Sequence, residues 1–387
     1  MCSTTKDAQE DKVNLMQSIL PKALIIETHR GCNFRCLHCN VPAIPNSNCG
    51  SMSQSTFEAL TPMLSFVNEV GYDNFGEPTM NPLLTSFIQR QKKLNCASRA
   101  RINSNMSLIS ENYARKLLDV GLNELQASID AASASLFSKI RVGGNLFETL
   151  QRIEMVANLV DTMKLNNFTL SACFVACRQN IHELPVVTKL LASAGVTSLY
   201  VNGFEPYRLK DSVKALWRTE NLRQITYEIF RKTKKWASTH NLKLYLPSLF
   251  PKASANCLLP QNTMTISFDG EVSPCFLLAM ESAVVQLSGH LFIRPRVVFG
   301  NVINSSPFSI WENNSYVQFR ESVVKPSGGD LITCNLCLQR QGLICVSLTG
   351  IPNIKYYEQN YERRYLDEST FKKKSTCWIQ PSTCIKT

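Results

Sequence analysis

Along this chain, short apolar runs alternate with longer amphipathic stretches. Ala23-Leu-Ile-Ile-Glu27 is almost wholly apolar, which predicts a strand buried on both faces. Ser53 to Glu69 predicts a helix with Phe57, Leu60, Leu64 and Val67 on one face. Gly71 to Phe75 predicts a weak second strand ending in Gly76-Glu77-Pro78, and Asn81-Pro82 predicts the capped opening of another helix. Ala100 to Asn103 is a third strand. Ser110 caps a helix that Gly121 ends, and Leu125 to Ile129 is a fourth strand. Asn145 and Glu148 have capping-box spacing ahead of a long helix through Ile153, Val156 and Val160. Phe168 to Val175 is a fifth strand, a helix runs from Ile181 to near Gly195, and Val196 to Val201 is a sixth strand.

Strand and helix thus alternate about six times, which predicts an α/β chain with a parallel sheet and crossover helices. Periodicity does not separate an open doubly wound sheet from a partial barrel. Asp211 to Asn241 reads as helical, and Pro247 and Pro251 mark a boundary. Beyond it, Thr263 to Phe268 alternates, Asp269-Gly270 is a turn and Glu271 to Phe276 returns, predicting a β-hairpin. The hairpin brings Cys275 and Cys257 to one end, and Cys334-Asn-Leu-Cys337 follows as a tight pair.

Composition narrows the class. With 387 residues, 44% hydrophobic and 18% charged, the chain has room for one large domain and a smaller one, and is not disordered. Its first twenty residues show no secretory signal, and no run of eighteen apolar residues predicts a membrane span. The expectation is a cytoplasmic protein with no membrane partner. The net charge of +11 includes Arg231 to Lys235, Arg363-Arg364 and Lys372 to Lys374, read as solvated surface. No aromatic–basic interleaving points to nucleic acid.

Fifteen cysteines is high for such a chain. Three of them, Cys32, Cys36 and Cys39, fall within eight residues, and a loop of that spacing can bring three thiolates onto one small inorganic cluster. Structural zinc wants four ligands, and His38, lying between Cys36 and Cys39, is poorly placed to be the fourth. An odd cysteine total without a secretory signal disfavours a disulfide knot. Three ligands on a four-iron cluster would leave one iron open for chemistry.

Cys32-x3-Cys36-x2-Cys39 after a predicted strand resembles the cluster loop of the radical S-adenosylmethionine (radical SAM) superfamily. The resemblance implies a curved, partial (β/α)6 TIM-like barrel, an open-iron [4Fe–4S] cluster on those three cysteines, and SAM bound to it. Gly76-Glu77-Pro78 resembles the turn that helps hold the SAM amino group, although Phe75 stands where many relatives have another glycine. Asn103-Ser-Asn105 occupies the place of a Thr-Asn-Gly, with Met106 in place of the glycine. Ser128-Ile129-Asp130 resembles the strand end facing the ribose, and Arg141-Val-Gly-Gly144 the basic segment near the carboxylate. His38, Gly76, Glu77, Pro78, Asn105, Ser128, Asp130 and Arg141 are therefore the cofactor-binding candidates. Cys173 and Cys177 read as small buried side chains.

Cys257, Gly270, Cys275 and the distant Cys334-x2-Cys337 resemble a SPASM/twitch extension, with Gly300-Asn301, Ile310-Trp311 and Phe319-Arg320 between the pairs. In that resemblance the four cysteines ligate one auxiliary [4Fe–4S] cluster; a structural zinc ribbon is the plainer reading. Cys345, Cys377 and Cys384 are candidates for a second auxiliary cluster. The expected organisation is a lead-in (1–20), a radical SAM core (21–210), a helical connection (211–248), a small α+β SPASM/twitch domain (249–346) and a tail (347–387).

The resemblance implies reductive cleavage of SAM to a 5′-deoxyadenosyl radical that abstracts hydrogen from a substrate. The auxiliary cluster would support oxidation or maturation of a small molecule or peptide, and an electron donor such as flavodoxin or ferredoxin is implied. No catalytic base stands out. A non-catalytic iron–sulfur or zinc scaffold and an RNA-modifying enzyme are the alternatives.

Overall fold

The computed structural model describes residues 20–251, 257–324 and 332–343. The predicted tail, with Cys345, Cys377 and Cys384, lies outside the described residues. Six strands follow the predicted order: β1 (Ala23–Ile26), β2 (Glu69–Gly71), β3 (Arg99–Ser104), β4 (Glu124–Ser128), β5 (Thr169–Ala176) and β6 (Ser198–Gly203). All neighbours among them are parallel, so the chain forms the expected α/β partial barrel. The crossovers carry α1 (Leu84–Leu94), α2 (Glu111–Asp119), α3 (Ala134–Ile140), α4 (Leu146–Thr162) and α5 (Leu184–Ser193). α6 (Glu220–Thr239) leads into β7 (Lys243–Tyr245), a short strand beside β6.

Two sequence expectations shift. Ser53–Glu69 is not one helix but two short ones, Gln54–Glu58 and Thr61–Leu64. Pro62 lacks an N–H and crowds the carbonyl of Glu58, so the first helix cannot run through. The predicted apolar face survives, since Phe57, Leu60, Leu64 and Val67 are all fully buried. β2 accordingly begins at Glu69 and ends at Gly71, where the sequence pattern places its start. Other signals hold: Ser110 Oγ accepts from Tyr113 N at the start of α2, and Asn145 caps α4 through Phe147 N and Glu148 N.

The hairpin also forms, as β8 (Thr263–Ile266) and β9 (Glu271–Ser273). β8 is more than half of a hairpin, because it pairs in parallel with β1, Ala23 opposite Thr263 and Ile26 opposite Ile266. β10 (Ser282–Val285) and β11 (Leu291–Arg294) make a separate two-stranded ribbon, while β12 (Gly300–Asn301) pairs with β9. The large sheet therefore runs β12-β9-β8-β1-β2-β3-β4-β5-β6-β7.

One face of the barrel sheet is apolar under the helices, with Val70, Ile102, Leu125 and Phe174 buried. The other carries polar side chains joined from strand to strand. Arg101 on β3 pairs with Asp73 at 2.9 Å and with Glu69 on β2 at 3.6 Å. Ser171 on β5 donates to Glu124 on β4 at 2.8 Å, and Ser128 on β4 to Asn103 on β3 at 3.0 Å. Burying carboxylates is costly unless cations or hydrogen bonds meet them. The polar lumen meets that demand within itself.

Candidate iron–sulfur and SAM site

The first cysteine set leaves the carboxyl end of β1, where α/β barrels place their chemistry. Backbone hydrogen bonds and one packing contact shape its loop. Gly31 N donates to Phe75 O at 3.2 Å and Glu77 N to Gly31 O at 2.9 Å, locking the loop to the Gly76 turn. A β-carbon at Gly76 would fall on His29 O and within 2.6 Å of Gly31 O, so only glycine fits. Arg35 N and Leu37 N donate to Val142 O and Ile140 O, at 2.8 and 2.9 Å, tying the loop to the Arg141 segment. Phe34 fills the space beside Gly144, where a β-carbon would stand 2.8 Å from its ring.

Around these thiols the donors are set for sulfur acceptors. Cys32 Sγ accepts from Phe34 N at 3.3 Å and Asn105 Nδ2 at 3.6 Å, and Cys39 Sγ from Val41 N at 3.4 Å. Asn105 also donates to Asn33 Oδ1 at 2.9 Å, which ties the end of β3 to the loop. Burial pushes the Cys36 thiol up to about 12 and Cys39 to about 11, so neither ionises without an added positive partner. His38 Nδ1 and Asn40 Nδ2 are buried here with no hydrogen-bond partner. A soft, positively charged inorganic group with polar ligands fits this donor set.

The other candidates gather beside Cys36. Asp130 Oδ2 lies 2.7 Å from Arg141 Nε and 3.5 Å from His38 Nε2, while Asp130 Oδ1 accepts from Val175 N at 2.6 Å. Burial lowers the His38 pKa against the pull of Asp130. The carboxylates in this group are already engaged. Glu77 accepts from Thr79 Oγ1, Ser104 Oγ and Asn105 N at 2.6 to 2.8 Å, and so fixes the β3 end. Asp130 orients Arg141 and His38, and Ser128 is bonded to Asn103. Pro78 opens a 3₁₀ turn that Glu77 caps. Phe34, Asn33 and Ser107 complete the loop's support, and nothing in their spacing singles them out.

The second set also converges. Cys257, Cys275, Cys334 and Cys337 line one cavity with Leu277, Leu278 and Arg294. Burial, then Cys337, pushes Cys257 up to about 12; burial, then Cys257, Cys337 and Cys334, drives Cys275 higher still. Four crowded, buried thiols again call for a positively charged inorganic partner. Among the described residues, no three His, Cys, Asp or Glu side chains are disposed to hold a single metal ion.

The two sets are neighbours through one short stretch. Cys275, Leu277 and Leu278 share an apolar cluster that packs on Cys257 and Cys337. Ala279 belongs to the next cluster, with Val41 and Phe75, against which Cys32, Cys39 and Met280 pack. Cys173 and Cys177 are buried, as expected.

Comparison with known proteins agrees with this arrangement. The profile of the radical SAM superfamily matches residues 26–191, and that of the SPASM iron–sulfur cluster-binding domain matches residues 257–338. A probable GTP 3′,8-cyclase of Methanocaldococcus jannaschii is 24% identical over 268 residues, 66% of this chain and 85% of its own length. An AdoMet-dependent heme synthase of Oleidesulfovibrio alaskensis is 24% identical over 307 residues, 76% of this chain and 75% of its own. Among solved structures, Streptococcus suis SuiB bound to S-adenosylmethionine superposes with a TM-score of 0.59 at 12% identity, covering 86% of this chain and 76% of SuiB. AnSMEcpe with bound AdoMet gives 0.51 at 18% identity, covering 84% of this chain and 88% of its own. The fold, the cysteine sets and both profiles, which together span more than half of the chain, agree: it is a radical SAM enzyme with a C-terminal SPASM domain, using SAM and [4Fe–4S] clusters.

Proposed function

We propose that this enzyme is an oxidoreductase or maturase acting on a small molecule or a peptide. Cys32, Cys36 and Cys39 would hold the open-iron cluster, and Cys257, Cys275, Cys334 and Cys337 one fully ligated auxiliary cluster. When bound, the open-iron cluster and SAM supply one-electron cleavage of the sulfonium and a hydrogen-abstracting 5′-deoxyadenosyl radical. The chain's own residues do the positioning. Asn105 and the amides of Phe34 and Val41 donate to cluster-ligand sulfurs. Carbonyls of the Gly76-Glu77-Pro78 turn would accept from the SAM amino group, and Arg141, aimed by Asp130, would face its carboxylate. Ser128 would mark the ribose end, and His38, neutral near pH 7, closes the loop side.

The observation that carries this reading is the short stretch from Cys275 to Met280, which packs on both cysteine sets. A second redox centre that near can accept an electron from a substrate radical, turning hydrogen abstraction into two-electron oxidation. SuiB bound to its precursor peptide SuiA and AnSMEcpe bound to the Cp18Cys peptide support the peptide class. The relatives named GTP 3′,8-cyclase support the small-molecule class. In this reading residues 21–210 are the core, 211–248 its helical connection and 249–346 the auxiliary domain. The enzyme would work in the reducing cytoplasm with a flavodoxin or ferredoxin as donor. No described helix is long and apolar enough to cross a membrane.

The test is anaerobic reconstitution followed by SAM and dithionite. Roughly eight irons per chain, four for each cluster, and release of 5′-deoxyadenosine are expected. Alanine at Cys32, Cys36 or Cys39 abolishes that release. Release retained by all three variants would sink the assignment, and absent iron would leave the scaffold reading.

A further inference from the structure

Beside the second cysteine set lies a buried ion pair that the reading above does not use. Arg294, on β11, lines the cavity of the second set. Its guanidinium forks onto Glu205 just beyond β6, Nη1 to Oε1 at 2.9 Å and Nη2 to Oε2 at 3.1 Å. Arg294 Nε donates to Ser282 Oγ at 3.1 Å, fixing the plane of the fork. The side chains are 5% and 6% exposed, so solvent screens them little. The loop carrying Glu205 is strapped down, because Val285 N donates to Pro206 O at 2.8 Å. Two residues on, the Tyr207 phenol is hydrogen-bonded to Glu205 and feels the charge of Cys39.

We propose that Arg294 and Glu205 are positioning residues that set the reduction potential of the auxiliary cluster by opposing, nearly balanced charges. This rests on the assignment of Cys257, Cys275, Cys334 and Cys337 to that cluster. A cluster gains negative charge on reduction, so a cation in its wall favours the reduced form and an anion disfavours it. A bidentate pair holds both charges in one orientation, with the cation on the cavity side. Neutralising either residue exposes the other, and the two single changes must act with opposite sign. A merely structural pair has no reason to do so.

The experiment is an EPR-monitored redox titration of the full chain carrying Cys32→Ala, Cys36→Ala and Cys39→Ala, which leaves one cluster to observe. Adding Arg294→Gln should lower the midpoint potential and Glu205→Gln should raise it. Each change is at least tenfold in the electron-uptake equilibrium, about 59 mV for one electron. Arg294→Lys keeps the charge and should hold the midpoint near the parent's. The double Glu205→Gln/Arg294→Gln variant should return close to the parent value, and it leaves no unpaired ion to disturb folding. Shifts of the same sign, or a double variant displaced as far as either single one, would overturn the inference while leaving the cluster assignment standing. A parent protein that binds zinc or no iron would overturn the assignment and the inference with it.

Discussion

Gly76 shows how one position governs the cysteine loop. Its lack of a β-carbon lets the turn touch the backbone at His29 and Gly31, and two hydrogen bonds then close the loop. Gly76→Ala must displace backbone, at about 1–3 kcal/mol. We expect a lower melting temperature and iron content reduced by about four per chain, measured on reconstituted protein. Met106 is the converse case. It adopts φ 68°, a conformation natural to the glycine that the family pattern places there, yet its side chain is fully buried. Met106→Gly relieves roughly 1 kcal/mol of strain but empties a site for which Met→Ala costs about 2–5 kcal/mol. A thermal melt should therefore show net loss of stability. The cysteines were legible because their spacing is local. That Glu77 and Asp130 spend their carboxylates on the protein was not, because most of their partners arrive from other segments of the chain.

Among the elements, strongly periodic ones were readable and short ones were not. α4, with its cap and apolar stripe, is where the pattern places it, whereas α3 and β7 are too short to establish a period. The loop into α3 is held by Glu183, which accepts from Ala132 N at 2.6 Å, Ser133 N at 3.0 Å and Ser133 Oγ at 2.5 Å. Partial burial raises its pKa, but the Ser133 hydroxyl and the two amides outweigh that and hold it below the usual carboxylate range. A depressed carboxylate contributes stability that is complete above its unfolded pKa, about 4.3, and is lost as pH falls through the folded value. Glu183→Gln should thus cost about 1–2 kcal/mol near neutrality, and the difference from wild type should shrink below about pH 4. Urea melts at pH 7 and pH 3.5 would show it.

At the scale of the whole molecule, β8 lies beside β1, so the C-terminal hairpin is part of the barrel sheet. Phe268 reinforces the join, with Arg30 stacked 5.0 Å over its ring and Glu27 accepting from its amide. The sequence marked the hairpin but not its docking, since alternation along a strand says nothing about which edge it meets. We expect one calorimetric transition for the described fold. Truncation after residue 248 strips β8 from β1 and leaves a bare apolar edge, so the shortened chain should aggregate where the full one stays monodisperse in light scattering. The link from Cys275 to Met280 has its own consequence. It is a 3₁₀ turn anchored at both ends in packed side chains, with no glycine to act as a hinge. If the two cysteine sets hold the proposed clusters, this stretch would set their separation as a fixed ruler. A substrate lying between them would then have to fit that gap as it stands, and selection on substrate size would act through the loops bordering it.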